Sequence, residues 1–227
     1  MSPTTDAPRD KRFLLAHHEG RVLEWIARRV PARVMPDHMT ALGVLAAFGI
    51  AGAYLLSNGD KTWLWAASAL LVVHWLGDSL DGTLARVRKA ERPRYGYYLD
   101  HLVDAVSTAC IGIGLGLSHF MLLSTGALIV VAYLMLSINV YLESYALGKF
   151  SIGYGRIGPT EVRVVLIALN TALALGAPLG FHIAGIGLTA FDVIGLAVAA
   201  LMVVLMAARA FANLRRLSIE EPAAPRA

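Results

Sequence analysis

After a polar start, the chain alternates long uncharged apolar runs with short segments that hold nearly all of its charge. Residues 1–12 are polar, contain Pro3 and Pro8, and lack the apolar core and small-residue cleavage site of a signal peptide, so they read as a cytoplasmic tail. From Lys11 to Val34 the pattern turns amphipathic. Val22, Leu23, Ile26, Ala27 and Val30 share one helical face, Glu24 and Arg28 the opposite one, with Trp25 at the border. That spacing predicts a short helix, either on the anionic membrane surface or packed against the cytoplasmic ends of the domain, and the two placements are compatible. Pro36-Asp37-His38-Met39-Thr40 is a stop and restart, with Asp37 or Thr40 available to cap the next helix.

Met39 to Ser57 is then an uncharged run of 19 residues, long enough to span a bilayer at ~1.5 Å per residue. A turn at Ser57-Asn58-Gly59-Asp60 leads to a second span, Thr62 to Leu80, with Trp63 and Trp65 at one interface. Arg86 to Arg94 reads as a basic loop broken by Pro93. Four further spans are expected from about Tyr98 to Leu117, Met121 to Leu147, Thr160 to Leu179 and Leu188 to Phe211, with a polar tail containing Pro222 and Pro225 after them. The expected fold is therefore an all-α integral membrane protein with six transmembrane helices and a short N-terminal amphipathic interfacial helix. Its expected organisation is a tail and helix at 1–35, a six-helix membrane domain at 36–213 and a second cytoplasmic tail at 214–227.

Composition agrees with this reading, since 57% of the residues are hydrophobic and 16% charged. Charge placement orients the spans. With alternate loops assigned to the inside, 19 of the 20 Lys and Arg fall in the N-terminal segment, in Arg86 to Arg94, in Lys149 to Arg163 or from Arg209 onward, and only Lys61 lies outside. By the positive-inside rule, both termini belong on the cytoplasmic side. The net charge of +4 does not argue for nucleic acid, because basic and aromatic residues do not interleave as a binding surface needs. The single cysteine, Cys110, sits in an apolar run, which excludes an intrachain disulfide and reads as a small core residue.

Candidate chemistry is concentrated between Asp78 and Asp104. The chain reads Asp78-Ser79-Leu80-Asp81-Gly82-Thr83-Leu84-Ala85-Arg86, then nine residues, then Gly96-Tyr97-Tyr98-Leu99-Asp100-His101-Leu102-Val103-Asp104. On helices, Asp78 and Asp81 are i and i+3 and Asp100 and Asp104 are i and i+4, so each pair shares a face and the two faces can converge at one membrane surface. An Asp at the centre of a membrane helix costs about 2.5–3.5 kcal/mol, so four together need neutralising. Carboxylates supply only hard oxygen ligands, which select Mg²⁺ or Mn²⁺, and four can bridge two such ions. No Cys or His set has zinc spacing.

The pattern Asp78-x2-Asp81-Gly82-x2-Ala85-Arg86-x9-Gly96-x3-Asp100-x3-Asp104 resembles the signature of the CDP-alcohol phosphotransferase family, integral membrane enzymes of phospholipid synthesis. The resemblance implies a six-helix membrane fold and transfer of a substituted phosphate from a CDP-alcohol to an acceptor alcohol, with CMP released. It implies that Asp78, Asp81 and Asp100 hold two divalent cations, Mg²⁺ or Mn²⁺. Asp104 would be the general base and could also touch a metal. Gly82, Ala85 and Gly96 would let the nucleotide approach the helices, with tight helix packing as the plainer reading. Arg86 would meet phosphate or anchor the surface.

The donor is expected to be CDP-diacylglycerol with a small polar alcohol as acceptor, or a CDP-linked headgroup passed to diacylglycerol. For the second direction there is a similarity to the choline and ethanolamine phosphotransferase branch in Gly153-Tyr154-Gly155-Arg156-Ile157-Gly158-Pro159-Thr160-Glu161-Val162-Arg163, in Glu143 and in the Asp100-His101 pair; Tyr97 departs from the Glu usual in that branch. Arg156 and Arg163 also suit positive-inside anchoring, and Glu161 suits a helix first turn. His101 is expected to act as a hydrogen-bonded neighbour of Asp100, and His74 as a satisfied intramembrane polar residue. Gly112 and Gly116 could support the homodimer typical of the family or packing within one subunit.

Three rivals remain. A CDP-lipid hydrolase would use the same site. A cation transporter would explain the carboxylates but not the Gly-x2-Ala-Arg spacing, and a lipid-binding protein would not need a base beside metal ligands.

Overall fold

A computed structural model of the chain describes residues 16–147, 158–177, 179–183 and 186–222. The N-terminal tail, Lys149, the Gly-rich stretch from Gly153 to Ile157, and Pro225 lie outside the described residues. In order, the elements are α1 (Ala16–Ala27), α2 (Pro36–Leu56), α3 (Trp63–Val87), α4 (Pro93–Gly116), α5 (Leu123–Leu147), α6 (Pro159–Ala174), β1 (Gly180–Ile183), β2 (Ile186–Thr189) and α7 (Ala190–Glu220).

Proline sets three of the starts. Pro36, Pro93 and Pro159 open α2, α4 and α6, positions where a fixed φ is already helical and a missing N–H costs nothing. Pro93 therefore begins a helix where a loop breaker was expected, and α4 starts five residues before Tyr98. At the other side of this turn, α3 continues past Leu80 to Val87, so Asp78 through Arg86 ride on one uninterrupted helix. Lys89, with φ of 54°, takes the left-handed conformation that ends it. Arg88 closes the corner by donating to the carbonyls of Val30 at 3.1 Å, Pro31 at 2.9 Å and Val34.

The all-α expectation is corrected between α6 and α7. Here β1 and β2 pair antiparallel, with Gly180 opposite Thr189 and Phe181 opposite Leu188. The expected fifth span ends early, at Ala174, and Leu188 belongs to a strand. Thr189 then caps α7: its hydroxyl accepts from the N–H groups of Phe191 and Asp192, while Asp192 Oδ2 accepts the Thr189 N–H at 3.0 Å. The other Asp192 oxygen accepts the Leu122 N–H at 2.8 Å, tying this end of α7 to the turn before α5.

The helices meet at small residues. A Cβ on Gly77 of α3 would stand 2.6 Å from Gly43 N and 2.7 Å from Met39 O on α2. One on Gly126 of α5 would stand 2.5 Å from Gly112 O and 3.1 Å from Gly116 Cα on α4. Gly112 and Gly116 are thus used for packing inside one subunit. Ile50, Tyr54, Leu64, Leu71 and Phe191 fill the core, where Asn170 of α6 pairs with the buried Tyr54 hydroxyl and with Ser68.

Four helices among the described residues, α2, α4, α5 and α7, are long and apolar enough to cross a membrane. Leu45, Phe48, Val131, Ile138 and Val204 point outward along them, a surface that water would not stabilise and lipid would. Of the other expected spans, α3 has the length but carries His74, Asp78 and Asp81, and α6 has only 16 residues. The N-terminal helix packs Leu23 and Ala27 against Met39, Leu80 and Leu84. Val22, expected on the same face, is instead 48% exposed beside Trp25 at 58%.

Candidate functional site

The C-terminal part of α3 and the N-terminal part of α4 are joined by five residues, 88–92, and both helices pack against α2. This brings the two Asp pairs within electrostatic reach of one another. Asp81 lies within reach of the charges of Asp78 and Asp100, and Asp104 within reach of the same two. Two carboxylates that close repel one another unless a proton or a cation lies between them.

Each carboxylate has a defined neighbour. Asp81 Oδ2 accepts from Thr40 Oγ1 of α2 at 2.7 Å, and Oδ1 from the Gly82 N–H at 2.5 Å. Asp78 Oδ2 accepts from a guanidinium nitrogen of Arg163 on α6 at 2.6 Å, in a pair whose side chains are 21% and 11% exposed. Asp100 lies 3.6 Å from His101 Nδ1, beyond hydrogen-bond length, while the same nitrogen is 2.8 Å from the Tyr97 carbonyl. The His101 ring stacks on Tyr97 and meets Tyr141 edge-on, so its place is set by aromatic packing.

The motif residues of small volume divide from the packing glycines. A Cβ on Gly96 would meet nothing within 4 Å, and one on Gly82 only Arg86 Nη1 at 3.5 Å. Neither is a helix-contact glycine, so the plainer packing reading fails for both, in contrast to Gly77 and Gly126. Ala85 is half-buried one turn beyond Asp81, and Arg86 is exposed with Nη2 donating to Thr83 Oγ1 at 3.0 Å.

Other expectations move. His74 is 5% exposed and its Nδ1 has no hydrogen-bond partner among the described residues, so it is not the satisfied polar residue expected. Glu161 accepts the Gly158 N–H at 2.9 Å, a helix-capping task at the start of α6. Glu143 forms an ion pair with Arg209 of α7, Oε2 to Nε 2.5 Å. Two residues of this end escaped the sequence reading as site neighbours: Thr40, whose signal was the Pro-x3-Thr spacing that opens α2, and Glu19 of α1, which had none. Among the described residues, no group of three or more His, Cys, Asp or Glu side chains is arranged to hold a metal ion as it stands. The donor set, four carboxylates with no soft ligand, suits a hard divalent cation, and Arg163 supplies a positive charge at Asp78.

The course of the chain is similar to that of the Mycobacterium tuberculosis phosphatidylinositol phosphate synthase with CDP-DAG bound, with a TM-score of 0.54 and 24% identity over 87% of this chain and 92% of that one. The same enzyme in complex with manganese and citrate aligns with a TM-score of 0.50 and 23% identity over 86% and 87%. At these identities the likeness is one of fold. A phosphatidylinositol phosphate synthase of Cutibacterium acnes is 33% identical over 86 residues, which span 38% of this chain and 39% of that protein. Residues 33–194, which include every motif position, match the family model described as CDP-alcohol phosphatidyltransferase, and the chain belongs to that family.

Proposed function

We propose that this chain is a metal-dependent transferase of phospholipid synthesis, which passes a substituted phosphate from a CDP-alcohol to an acceptor alcohol and releases CMP. The observation that carries the reading is the electrostatic reach of Asp78 and Asp81 on α3 to Asp100 and Asp104 on α4, beside Gly96, where a Cβ would meet nothing, and Gly82, where it would meet only the end of Arg86.

In this reading Asp78, Asp81 and Asp100, with Asp104, hold two divalent cations, Mg²⁺ or Mn²⁺. When bound, such ions neutralise charge on the pyrophosphate and on the leaving CMP. Thr40 fixes the rotamer of Asp81 and leaves one of its oxygens oriented by the Gly82 N–H. Gly82, Ala85 and Gly96 leave room for the nucleotide against the helix backbones, and Arg86 offers a planar pair of donors to phosphate. Asp104 takes the proton from the acceptor hydroxyl, a task that suits a carboxylate with two others close by. Arg163 sets a positive charge at Asp78.

The donor is CDP-diacylglycerol and the acceptor a small polar alcohol. Support comes from the Mycobacterium tuberculosis enzyme of similar fold, which binds CDP-DAG. The alternative direction leaned on Glu143 and Glu161, and both have structural partners here, Arg209 and the start of α6. We place α3 and α6 in the membrane with the other four long helices, α1 at its surface, and the site and both termini on the cytoplasmic side, a placement that the distribution of Lys and Arg supports.

The test is CMP release by purified protein in lipid with Mg²⁺ or Mn²⁺. CDP-diacylglycerol with a panel of polar alcohols is compared with CDP-choline or CDP-ethanolamine plus diacylglycerol. Release that requires one alcohol together with CDP-diacylglycerol is expected. Release without any alcohol would make the protein a hydrolase, and failure to bind CDP at all would overturn the reading.

A further inference from the structure

One oxygen of one side chain joins three elements around Asp78. Glu19 Oε1, on α1, accepts from Trp75 Nε1 at 2.6 Å, from Thr160 Oγ1 at 3.0 Å and from Ser79 Oγ at 3.3 Å. Trp75 and Ser79 belong to α3, the first lying one helical turn before Asp78 and the second next to it. Thr160 lies in the first turn of α6, three residues before Arg163. The donors therefore flank, on two different helices, the two partners of the Asp78–Arg163 ion pair.

We propose that Glu19 is a positioning residue: it clamps the first turn of α6 to α3 and so holds Arg163 at Asp78. The grounds are geometric and chemical. Charge-assisted hydrogen bonds to a carboxylate are about twice as strong as neutral ones, and three donors on one oxygen exceed what a helix surface contact alone requires. All three donors are uncharged, so the negative charge of the acid serves to strengthen these hydrogen bonds. The apolar side of α1, Leu23 and Ala27, rests on Leu80 and Leu84 of α3, which means that α1 would stay docked on α3 without Glu19. What Glu19 adds is the link to α6. That link is short in space and 141 residues long in sequence, and it acts beside a pair whose closeness decides where a positive charge stands in the site.

This inference rests on the proposed function only for what the Asp78–Arg163 pair serves; the clamp itself can be read without turnover. With Cys110→Ser removing the natural thiol, the paired substitutions Asp78→Cys and Arg163→Cys place two thiols at the ends of the former ion pair, and a short bis-maleimide then joins them within one chain. The yield is read as a gel shift, alongside the melting temperature of each protein in lipid nanodiscs. Efficient cross-linking is expected with Glu19 in place. Glu19→Gln keeps an acceptor oxygen but not the charge and is expected to give an intermediate yield. Glu19→Ala should lower it severalfold, and Thr160→Val, which cuts only the link to α6, should lower it comparably with little change in melting temperature. Thr160→Val also serves if Glu19→Ala fails to fold. Undiminished yield in Thr160→Val would overturn the proposal, as would equal losses in Glu19→Gln and Glu19→Ala. Absent CMP release in the unmodified enzyme would overturn the transferase reading and leave this result unaffected.

Discussion

Arg163 reaches across from α6 to donate to Asp78 Oδ2 at 2.6 Å, over a separation of 85 residues. Thus the carboxylate cluster carries its own countercharge. Removing one partner of a fully buried pair costs about 3–5 kcal/mol, and the partial exposure of this one reduces the expectation to ~1–3 kcal/mol. Arg163→Gln should therefore lower the melting temperature in lipid by several degrees. If Asp78 is a metal ligand, millimolar Mn²⁺ should restore much of that loss, because the ion supplies the charge the guanidinium no longer does. Thermal unfolding with Mn²⁺ and with chelator checks this; a deficit unchanged by Mn²⁺ would argue against Asp78 as a ligand.

Thr40 makes a parallel case at Asp81. Thr40→Val keeps the shape of the side chain and removes the 2.7 Å hydrogen bond to Oδ2. Hydrogen bonds to charged groups are worth about 1.5–3 kcal/mol, so an approximately tenfold or greater rise in the Mn²⁺ concentration giving half-maximal CMP release is expected. Thr40→Ser should recover most of it. Equal behaviour of the Val and Ser variants would remove the hydroxyl from the account.

The range of each interaction decides how much of the fold and site is legible in the sequence. The Asp pairs are legible because spacing of three and four residues on a helix places side chains on one face whatever the tertiary structure does. The partners of those carboxylates are not, since Arg163, Thr40 and Glu19 arrive from other helices and no local pattern encodes the meeting. Arg163 reads equally well as a membrane anchor. The hairpin escapes sequence reasoning because residues 179–189 form an apolar, Gly-containing stretch in which four-residue strands and the end of a helix look alike. Glycine roles are ambiguous for the same reason: Gly77 and Gly82 sit on one helix, and only the neighbours distinguish them.

That difference between glycines gives a third prediction. Gly77→Ala would place a methyl group 2.6 Å from Gly43 N, backbone that cannot move aside. Low yield of folded protein and a drop of about 1–3 kcal/mol or more in stability are expected. Gly96→Ala meets nothing within 4 Å and Gly82→Ala only the flexible end of Arg86. Both should fold normally, and alanine is the better helix former by roughly 1 kcal/mol. Their expected defect is in the Michaelis constant for the CDP-linked substrate. Normal kinetics in both variants would mean that the open space beside them is not where the nucleotide lies.

The last prediction separates a base from a ligand, two roles assigned to different side chains of one cluster of acids. Asp78 and Asp104 feel each other's charge, so either substitution relieves that repulsion, but Asp78→Asn also weakens the ion pair with Arg163 and should cost more stability. Their functions should differ as well. Asp78→Asn leaves a neutral amide in place of a ligand, and Mn²⁺ binding, measured by calorimetry or by electron paramagnetic resonance of the free ion, should weaken. Asp104→Asn removes the group that accepts the proton of the acceptor hydroxyl. It should keep CDP binding in the presence of Mn²⁺ and lose turnover by a factor of at least about 10²–10⁴, the usual contribution of a positioned general base. If Asp104→Asn instead loses Mn²⁺ as Asp78→Asn does, its carboxylate is chiefly a ligand, and the proton must leave by another route. If it retains full activity, no proton passes through Asp104. Only the combination of retained binding and lost turnover assigns it the role of base.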